Sequence, residues 1–253
     1  MKTIGIVCEG PTDFEMITAL IAHIFNEEMS YLPIQPDDEL CTDFGNGWKG
    51  VIHWCQEHSE YLYDYLEGAT PKVDLLIVQI DADVARAEKE IYCYNIKTDC
   101  EGQGKQDPLN CDFAKRKLCP QQLPPNSVCS GEQEERVKYL QGILNSYLLK
   151  DDRVHYVLTI PCDATDSWVM AAFEDEMTDI EHFVDPWKKH IAKKKDYHGI
   201  RIPGKKKSLP VYRILVEKVC EKWDIVKEKC PQALKFESDI RSVIDDITIY
   251  QND

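Results

Sequence analysis

The stretch that decides the fold is "IGIVCEGPTDFEMITALIAHIF", residues 4–25. It opens with an apolar, β-branched run of the kind needed by a strand that is covered on both faces of a parallel sheet. A helix is predicted from about residue 13 to residue 26, because Thr12 and Glu15 have the spacing of a capping box and apolar residues then recur at helical spacing. One carboxylate, Glu9, separates strand from helix, where a charge is costly unless a cation or a solvated cleft receives it.

The same order of apolar run, acids and helix recurs along the chain. "VDLLIVQI" at 73–80 and "VHYVLTI" at 154–160 predict two more buried strands, and a weaker strand is predicted near 32–34. This alternation predicts an α/β fold, with a mostly parallel, Rossmann-like sheet flanked by helices. Further helices are predicted at about 50–66, 85–91, 132–149 and 164–173. The predicted organisation is an α/β domain at 1–175 that contains a Cys-rich insertion at 93–131, followed by a helical C-terminal region at 176–253.

Acidic residues follow the ends of three predicted strands. Glu9 follows the first, Asp81 and Asp83 the second, and Asp163 the third, with Asp166 a turn later. Ligands of open α/β sheets bind just beyond the carboxyl ends of the strands, and acids that meet there repel one another unless a divalent cation joins them. The pattern therefore predicts a Mg²⁺ or Mn²⁺ site. Other interpretations stay open for single residues: a dipole-stabilised acid at Glu9, a helix cap at Asp83 and a first-turn acid at Asp166.

Charge is distributed unevenly along the chain. The basic segment, residues 188–207, holds nine Lys and Arg against one acid, a local charge of +8, which leaves −23 for the rest of a chain whose total is −15. Such asymmetry is typical of a segment that binds a polyanion, although a solvated loop has the same composition. Trp187, Tyr197 and Tyr212 interleave with these cations as stacking platforms for bases would, and Trp187 and Tyr212 can equally be packing residues. The predicted nucleic-acid-binding residues are Lys188, Lys189, Lys193, Lys194, Lys195 and Arg201.

Cysteine usage and hydropathy indicate the cellular compartment and the state of the thiols. The chain shows no apolar run of membrane-spanning length and no secretory leader, so we expect a cytoplasmic protein without a membrane partner. Its eleven cysteines are then expected to be reduced thiols or metal ligands. Their wide spacing in the insertion makes Zn²⁺ one possibility and unligated thiols or an occasional disulfide the other. The zinc candidates are Cys93, Cys100, Cys111, Cys119 and Cys129.

Two of these motifs together resemble the Toprim domain, which primases, topoisomerases, recombination mediators and OLD-family nucleases share. They are "VCEGPTD" at 7–13 and "LLIVQIDAD" at 75–83. The Glu-Gly-x-Thr-acid form looks most like the Toprim part of OLD-family proteins and small standalone Toprim-like proteins of bacterial defence systems. The segment "IPCDATDSW" at 160–168 is similar to a later acid-x-Trp element of those proteins. The resemblance covers about 1–95 and 150–175.

The resemblance implies a Mg²⁺- or Mn²⁺-dependent nuclease that cleaves DNA or RNA. Asp81 and Asp83 would ligate a metal, Asp13 would reach a second one, and Glu9 would ligate or move a proton. A lysine would neutralise charge in the transition state. The implied catalytic residues are Glu9, Asp81, Asp83, Lys205, Lys206 and Lys207, and the candidate metal ligands are Glu9, Asp13, Asp81, Asp83, Asp163 and Asp166.

The resemblance also bears on partners. The chain has no Gly-x-x-x-x-Gly-Lys-Ser/Thr loop, so an ATPase that works with it, as in a bacterial anti-phage or toxin-like system, would be a separate polypeptide. The oligomeric state stays open. An alternative function is a non-catalytic Toprim-fold module that binds a partner protein or nucleic acid. The enzyme hypothesis requires Glu9, Asp81 and Asp83 to converge, whereas a binding module permits them to point apart.

Overall fold

The computed structural model describes residues 1–25, 27–36, 47–85, 133–204 and 206–250. The strands are β1 Thr3–Val7, β2 Ser30–Gln35, β3 Leu75–Gln79, β4 Tyr156–Thr159, β5 Asp196–Tyr197 and β6 Ile200–Arg201. The α-helices are α1 Pro11–Phe25, α2 Trp48–His58, α3 Leu62–Gly68, α4 Gln133–Leu148, α5 Asp166–Phe173, α6 Pro186–Lys189, α7 Leu209–Glu221, α8 Trp223–Lys229 and α9 Pro231–Tyr250. Short 3₁₀ turns form at Ala82–Ala85, Ile180–His182 and Ile191–Lys193.

The main sheet contains four parallel strands in the order β2-β1-β3-β4. Apolar, β-branched sequences form the two central strands, and every residue of β1 and β3 is buried. Gly5 suits its position in β1, because a Cβ there would come within 2.5 Å of Ile34 Cδ1. The predicted α/β class with a parallel sheet flanked by helices is confirmed. Parallel strands bring their carboxyl ends to one edge, and this edge carries the acids.

Helices cover both faces of the sheet and form two apolar cores. On one face α1 packs with the C-terminal helices α7, α8 and α9 around Trp168 and Phe236. On the other face α2, α3 and α4 pack around Trp54 and Leu140. The C-terminal residues thus share a core with β1 and α1, which places the segment before α7 beside the acid-bearing edge of the sheet.

Two helix boundaries differ from the predictions. Helix α1 begins at Pro11, so Thr12 is not its N-cap; the N–H groups of Asp13 and Phe14 both bond to the Gly10 carbonyl oxygen instead. Proline suits the first helical position because no helical partner exists for a donor there. The single helix predicted at 50–66 is also wrong, since α2 ends at His58 and α3 is a separate helix.

The basic segment is not simply helical either. It contains the end of α6, a 3₁₀ turn and the β5–β6 hairpin, whose tight turn places His198 and Gly199 at φ values of 49° and 86°. Lys205, residues 86–91 of the helix predicted at about 85–91 and all five cysteines of the insertion lie outside the described residues. Within the described ranges, no helix combines the length and apolar character that crossing a membrane requires.

Candidate functional site

A closed set of hydrogen bonds joins the carboxyl ends of β1 and β3. Glu9 Oε1 accepts the backbone N–H of Asp81 at 2.8 Å, and the backbone N–H of Glu9 donates to Gln79 Oε1 at 3.0 Å. Gln79 Nε2 in turn donates to Asp81 Oδ1 at 2.8 Å. One oxygen of each carboxylate is thereby fixed, while Glu9 Oε2 and Asp81 Oδ2 accept no hydrogen bond from any residue that the structure describes.

The electrostatics of this edge are those of crowded acids. Burial raises the pKa of Glu9 to about 8, and the charges of Asp13 and Asp83 act in the same direction. Burial also raises the pKa of Asp81 far above its usual range, with further contributions from Glu9, Asp13 and Asp83. Such shifts mean that the fold holds these acids together without enough positive charge to ionise them all. The site is therefore suited to binding a cation.

Asp13 joins the cluster from the first turn of α1. Its Oδ1 accepts the hydroxyl of Thr165 at 2.6 Å, and burial raises its pKa despite the opposing effect of Lys207. The hydroxyl of Tyr212 lies 3.5 Å from Thr165 Oγ1 and extends this contact into the core. The structure thus brings Glu9, Asp13 and Asp81 to one edge of the sheet.

Lys207 supplies the cation of the site. Its Nζ lies 2.8 Å from Asp166 Oδ2, and the ammonium lies 5.9 Å and 5.4 Å from the ring centroids of Trp187 and Tyr212. Burial alone would lower the pKa of Lys207, but the charges of Asp166 and the neighbouring acids outweigh burial and raise it. Of the three lysines predicted for this role, Lys206 is exposed to solvent, and only Lys207 is paired with an acid within the described part of the chain.

The remaining two strand-end acids are held in different ways. Asp83 lies inside the 3₁₀ turn at Ala82–Ala85, and residues 86–91 of the helix that it would cap lie outside the described residues; its charge acts on Glu9 and Asp81. Asp163 is buried, and its Oδ2 accepts the backbone N–H of Asp185 at 2.8 Å. Asp163 therefore braces the loop that leads into the basic segment.

The donor set can be compared with the needs of a divalent metal. No three His, Cys, Asp or Glu side chains in the described ranges are arranged as a ready-made metal cage. Mg²⁺ does not require one, because it is usually held by one or two carboxylates and keeps several waters. The free oxygens of Glu9 and Asp81 fit that kind of hydrated site, and Mn²⁺ accepts the same oxygen ligands.

The basic segment presents most of its cations to solvent. Lys188 and Lys194 approach acids, at 3.8 Å from Asp185 and 3.4 Å from Glu174. The other exposed cations make no ion pair within the described chain: Lys189, Lys193, Lys195, Arg201 and Lys206. The aromatic residues do not accompany them, since Trp187, Tyr197 and Tyr212 are buried in the core. Their interpretation as stacking platforms is wrong, and the packing alternative for Trp187 and Tyr212 is confirmed.

Three residues that support the site were not predicted from the sequence. Gln79 interrupts an otherwise apolar buried strand, which was a detectable signal, since a buried amide needs partners. Thr165 lies between two acids in "DATD" and carried no signal of its own. Gly47, at φ 71°, donates its N–H to the Glu9 carbonyl oxygen at 3.0 Å, and a Cβ there would lie 3.7 Å from Glu9 Oε2.

Comparisons with known proteins add no identity to this geometry. No protein-family model, curated protein or solved structure matches the chain. Its function is therefore inferred from the arrangement of its own residues.

Proposed function

We propose that the chain is a divalent-metal-dependent nuclease that cleaves the phosphodiester bonds of DNA or RNA. The observation that carries the proposal is the pairing of Glu9 with Asp81 across β1 and β3, at the carboxyl edge of a parallel sheet, with Lys207 beside them. The resemblance of this edge to the Toprim domain supports the same reaction. A separate ATPase partner and a role in an anti-phage or toxin-like system are proposed from that resemblance alone.

The metal is assigned to the two carboxylates with free oxygens. Glu9 and Asp81 would hold Mg²⁺ or Mn²⁺, with Asp83 and Asp13 close enough to add negative charge to the site. When bound, the ion supplies a Lewis acid for the phosphate and lowers the pKa of its bound water. Gln79 keeps Asp81 in place, because its amide bonds to both sides of the pair.

The chain's own residues provide the remaining functions. Lys207 places a positive charge where a phosphate would otherwise meet only acids, which favours binding of the substrate and of its more highly charged transition state. If Glu9 does not ligate the metal, the pKa of about 8 to which burial raises it would let Glu9 carry a proton near neutral pH and exchange it with a neighbouring oxygen. The exposed cations of the basic segment would contact phosphates further along the chain of the substrate.

The proposal is tested by incubating the purified protein with plasmid DNA and with tRNA in the presence of Mg²⁺, Mn²⁺ or a chelator. We expect cleavage that requires metal and that Asp81→Asn abolishes. Asp152→Asn is the matched control, since Asp152 is an exposed acid before β4, at the opposite end of the sheet. Intact substrates under all conditions, together with a melting temperature that Mn²⁺ does not raise, would favour the non-catalytic binding module instead.

A further inference from the structure

Two adjacent residues at the start of α5 contact two different parts of the site. Thr165 donates its hydroxyl to Asp13, and Asp166 forms the ion pair with Lys207. Both residues are buried, at 0% and 3% exposed. The start of α5 therefore sets the separation between the acid cluster and its cation.

Asp166 is poorly placed to ligate a metal. Its Oδ2 is already 2.8 Å from the ammonium of Lys207, so a divalent ion on the same carboxylate would be repelled at close range. Its Oδ1 is buried and has no hydrogen-bond partner in the described residues, so its negative charge is balanced chiefly by Lys207 and by the helix dipole. These contacts indicate a partner of the lysine and not a metal ligand.

Neighbouring side chains fix the position of the Lys207 ammonium, although the lysine side chain remains partly exposed. The rings of Trp187 and Tyr212 flank its ammonium, and both rings belong to the apolar core, which fixes their positions. Yet 27% of the lysine side chain stays exposed. A cation in a fixed position on a partly exposed side chain is preorganised to meet an anionic oxygen.

We propose that Asp166 is a positioning residue that fixes Lys207 at the edge of the acid cluster, where the ammonium contacts a non-bridging phosphate oxygen of the substrate. This inference rests on the proposed nuclease function for the identity of the substrate. It replaces the expectation that Asp166 ligates a metal, and it assigns the binding of the scissile phosphate to one lysine of the three at 205–207.

The first test measures the lysine directly and needs no activity. Acetylation of Lys207 by an N-hydroxysuccinimide ester is followed by peptide mass spectrometry, with exposed Lys206 as the internal reference. We expect Asp166→Asn to raise the rate at Lys207 at least fivefold relative to Lys206, because the ion pair no longer protects the amine. Asp166→Glu, which keeps the charge, should restore most of the protection. An unchanged rate at Lys207 in the asparagine variant would overturn the inference.

The second test separates positioning from metal ligation. Mn²⁺ affinity, measured by electron paramagnetic resonance, should change less than twofold in Asp166→Asn and fall more than tenfold in Asp81→Asn. A tenfold loss in the Asp166 variant would make Asp166 a ligand and overturn the inference. If Asp166→Asn does not fold, the same Mn²⁺ measurement is made on Asp166→Glu, which moves the carboxylate. Weaker Mn²⁺ binding in Asp166→Glu would identify Asp166 as a metal ligand, whereas unchanged binding would identify it as a partner of Lys207.

The third test links the residue to the reaction. Asp166→Asn should slow single-turnover cleavage about tenfold, and the double variant with Lys207→Gln should be no slower than Lys207→Gln alone. Additive losses would contradict action through the lysine. If the wild-type protein cleaves neither plasmid nor tRNA, the proposed function fails, while the acetylation test still decides whether Asp166 positions Lys207.

Discussion

The hydroxyl of Thr165 donates to Asp13 Oδ1 at 2.6 Å, joining residues that lie 152 positions apart in the chain. This contact ties the N-terminus of α5 to the first turn of α1, so it sets how closely the β4 side of the sheet approaches the acid cluster. We expect Thr165→Val to cost about 1–3 kcal/mol in the free energy of unfolding, because it leaves a buried carboxylate without its donor.

Chemical denaturation measures that loss. Thr18→Val is the matched control, since the Thr18 hydroxyl bonds only within its own helix, to the carbonyl oxygens of Phe14 and Glu15. We expect that control to lie within about 0.5 kcal/mol of the wild type. Equal effects of the two substitutions would show that the contact between α5 and α1 contributes nothing to stability.

Asp81→Asn should separate stability from metal binding. The variant keeps an oxygen for the Gln79 amide and removes one of several mutually repelling acids, so we expect the metal-free protein to melt at the same temperature or higher. We also expect Mn²⁺ to raise the melting temperature of the wild type but not of the variant. A metal-free variant that unfolds readily would show that Asp81 is needed for the fold and would undercut the assignment.

The environment of Glu181 predicts how the free energy of unfolding depends on pH. It is buried and accepts the Cys162 thiol at 3.3 Å and the backbone N–H of Gln232 at 3.1 Å, and burial raises its pKa from 4.5 to about 7. A raised folded-state pKa contributes stability that is fully present below about pH 4.5 and is lost as pH rises through about 7. Stability should therefore decline over this range.

Glu181→Gln should flatten this decline, because the amide resembles the protonated acid. At pH 8 we expect the variant to be more stable than the wild type by up to about 3 kcal/mol, with the difference vanishing near pH 5. Urea denaturation at several pH values provides the measurement, and exposed Glu228→Gln is the control. Parallel curves for wild type and variant would rule out Glu181 as the source.

Glu174 should hold the basic segment against α5. Its Oε1 contacts the side-chain nitrogens of His190 at 2.6 Å, His198 at 3.2 Å and Lys194 at 3.4 Å. Burial alone would raise the pKa of Glu174, but the hydrogen bonds from the two histidines outweigh burial and lower it to about 2. We expect Glu174→Gln to cost roughly 1–3 kcal/mol and to speed amide exchange in the β5–β6 hairpin. Exposed Glu176→Gln should change neither.

The basic-segment lysines without an ion pair in the described chain should affect nucleic-acid affinity and leave metal affinity unchanged. Neutralising Lys189, Lys193 and Lys195 together should reduce the salt dependence of nucleic-acid binding, by up to about 0.9 in the slope of log K against log salt for each lost phosphate contact on duplex DNA. Affinity measured at several salt concentrations checks this. The control replaces three lysines that pair with acids elsewhere: Lys218, Lys222 and Lys235. Identical slopes for both triple variants would mean that the segment is a solvated loop.

The local sequence pattern was enough to predict the strands and the positions of the acids that follow them. Residues 75–78 are an apolar run that ends in two β-branched residues, and β3 forms at Leu75–Gln79 with every residue buried. Helix ends were harder to predict, because proline and glycine shift them by one or two residues. Thr12 and Glu15 matched a capping box, yet Pro11 already starts the helix.

The sequence by itself therefore determined the α/β class and the presence of Glu9, Asp81 and Asp83 beyond strand ends, since residue periodicity and strand direction are local properties. Only the tertiary structure decided which lysine lies beside these acids and which acid forms the ion pair with that lysine. Lys207 meets Asp166 across 41 positions because the C-terminal helices pack on the same face of the sheet as α1. Contacts between residues so distant in the chain depend on how whole elements pack, and a run of three lysines carries no local signal of which one pairs with an acid.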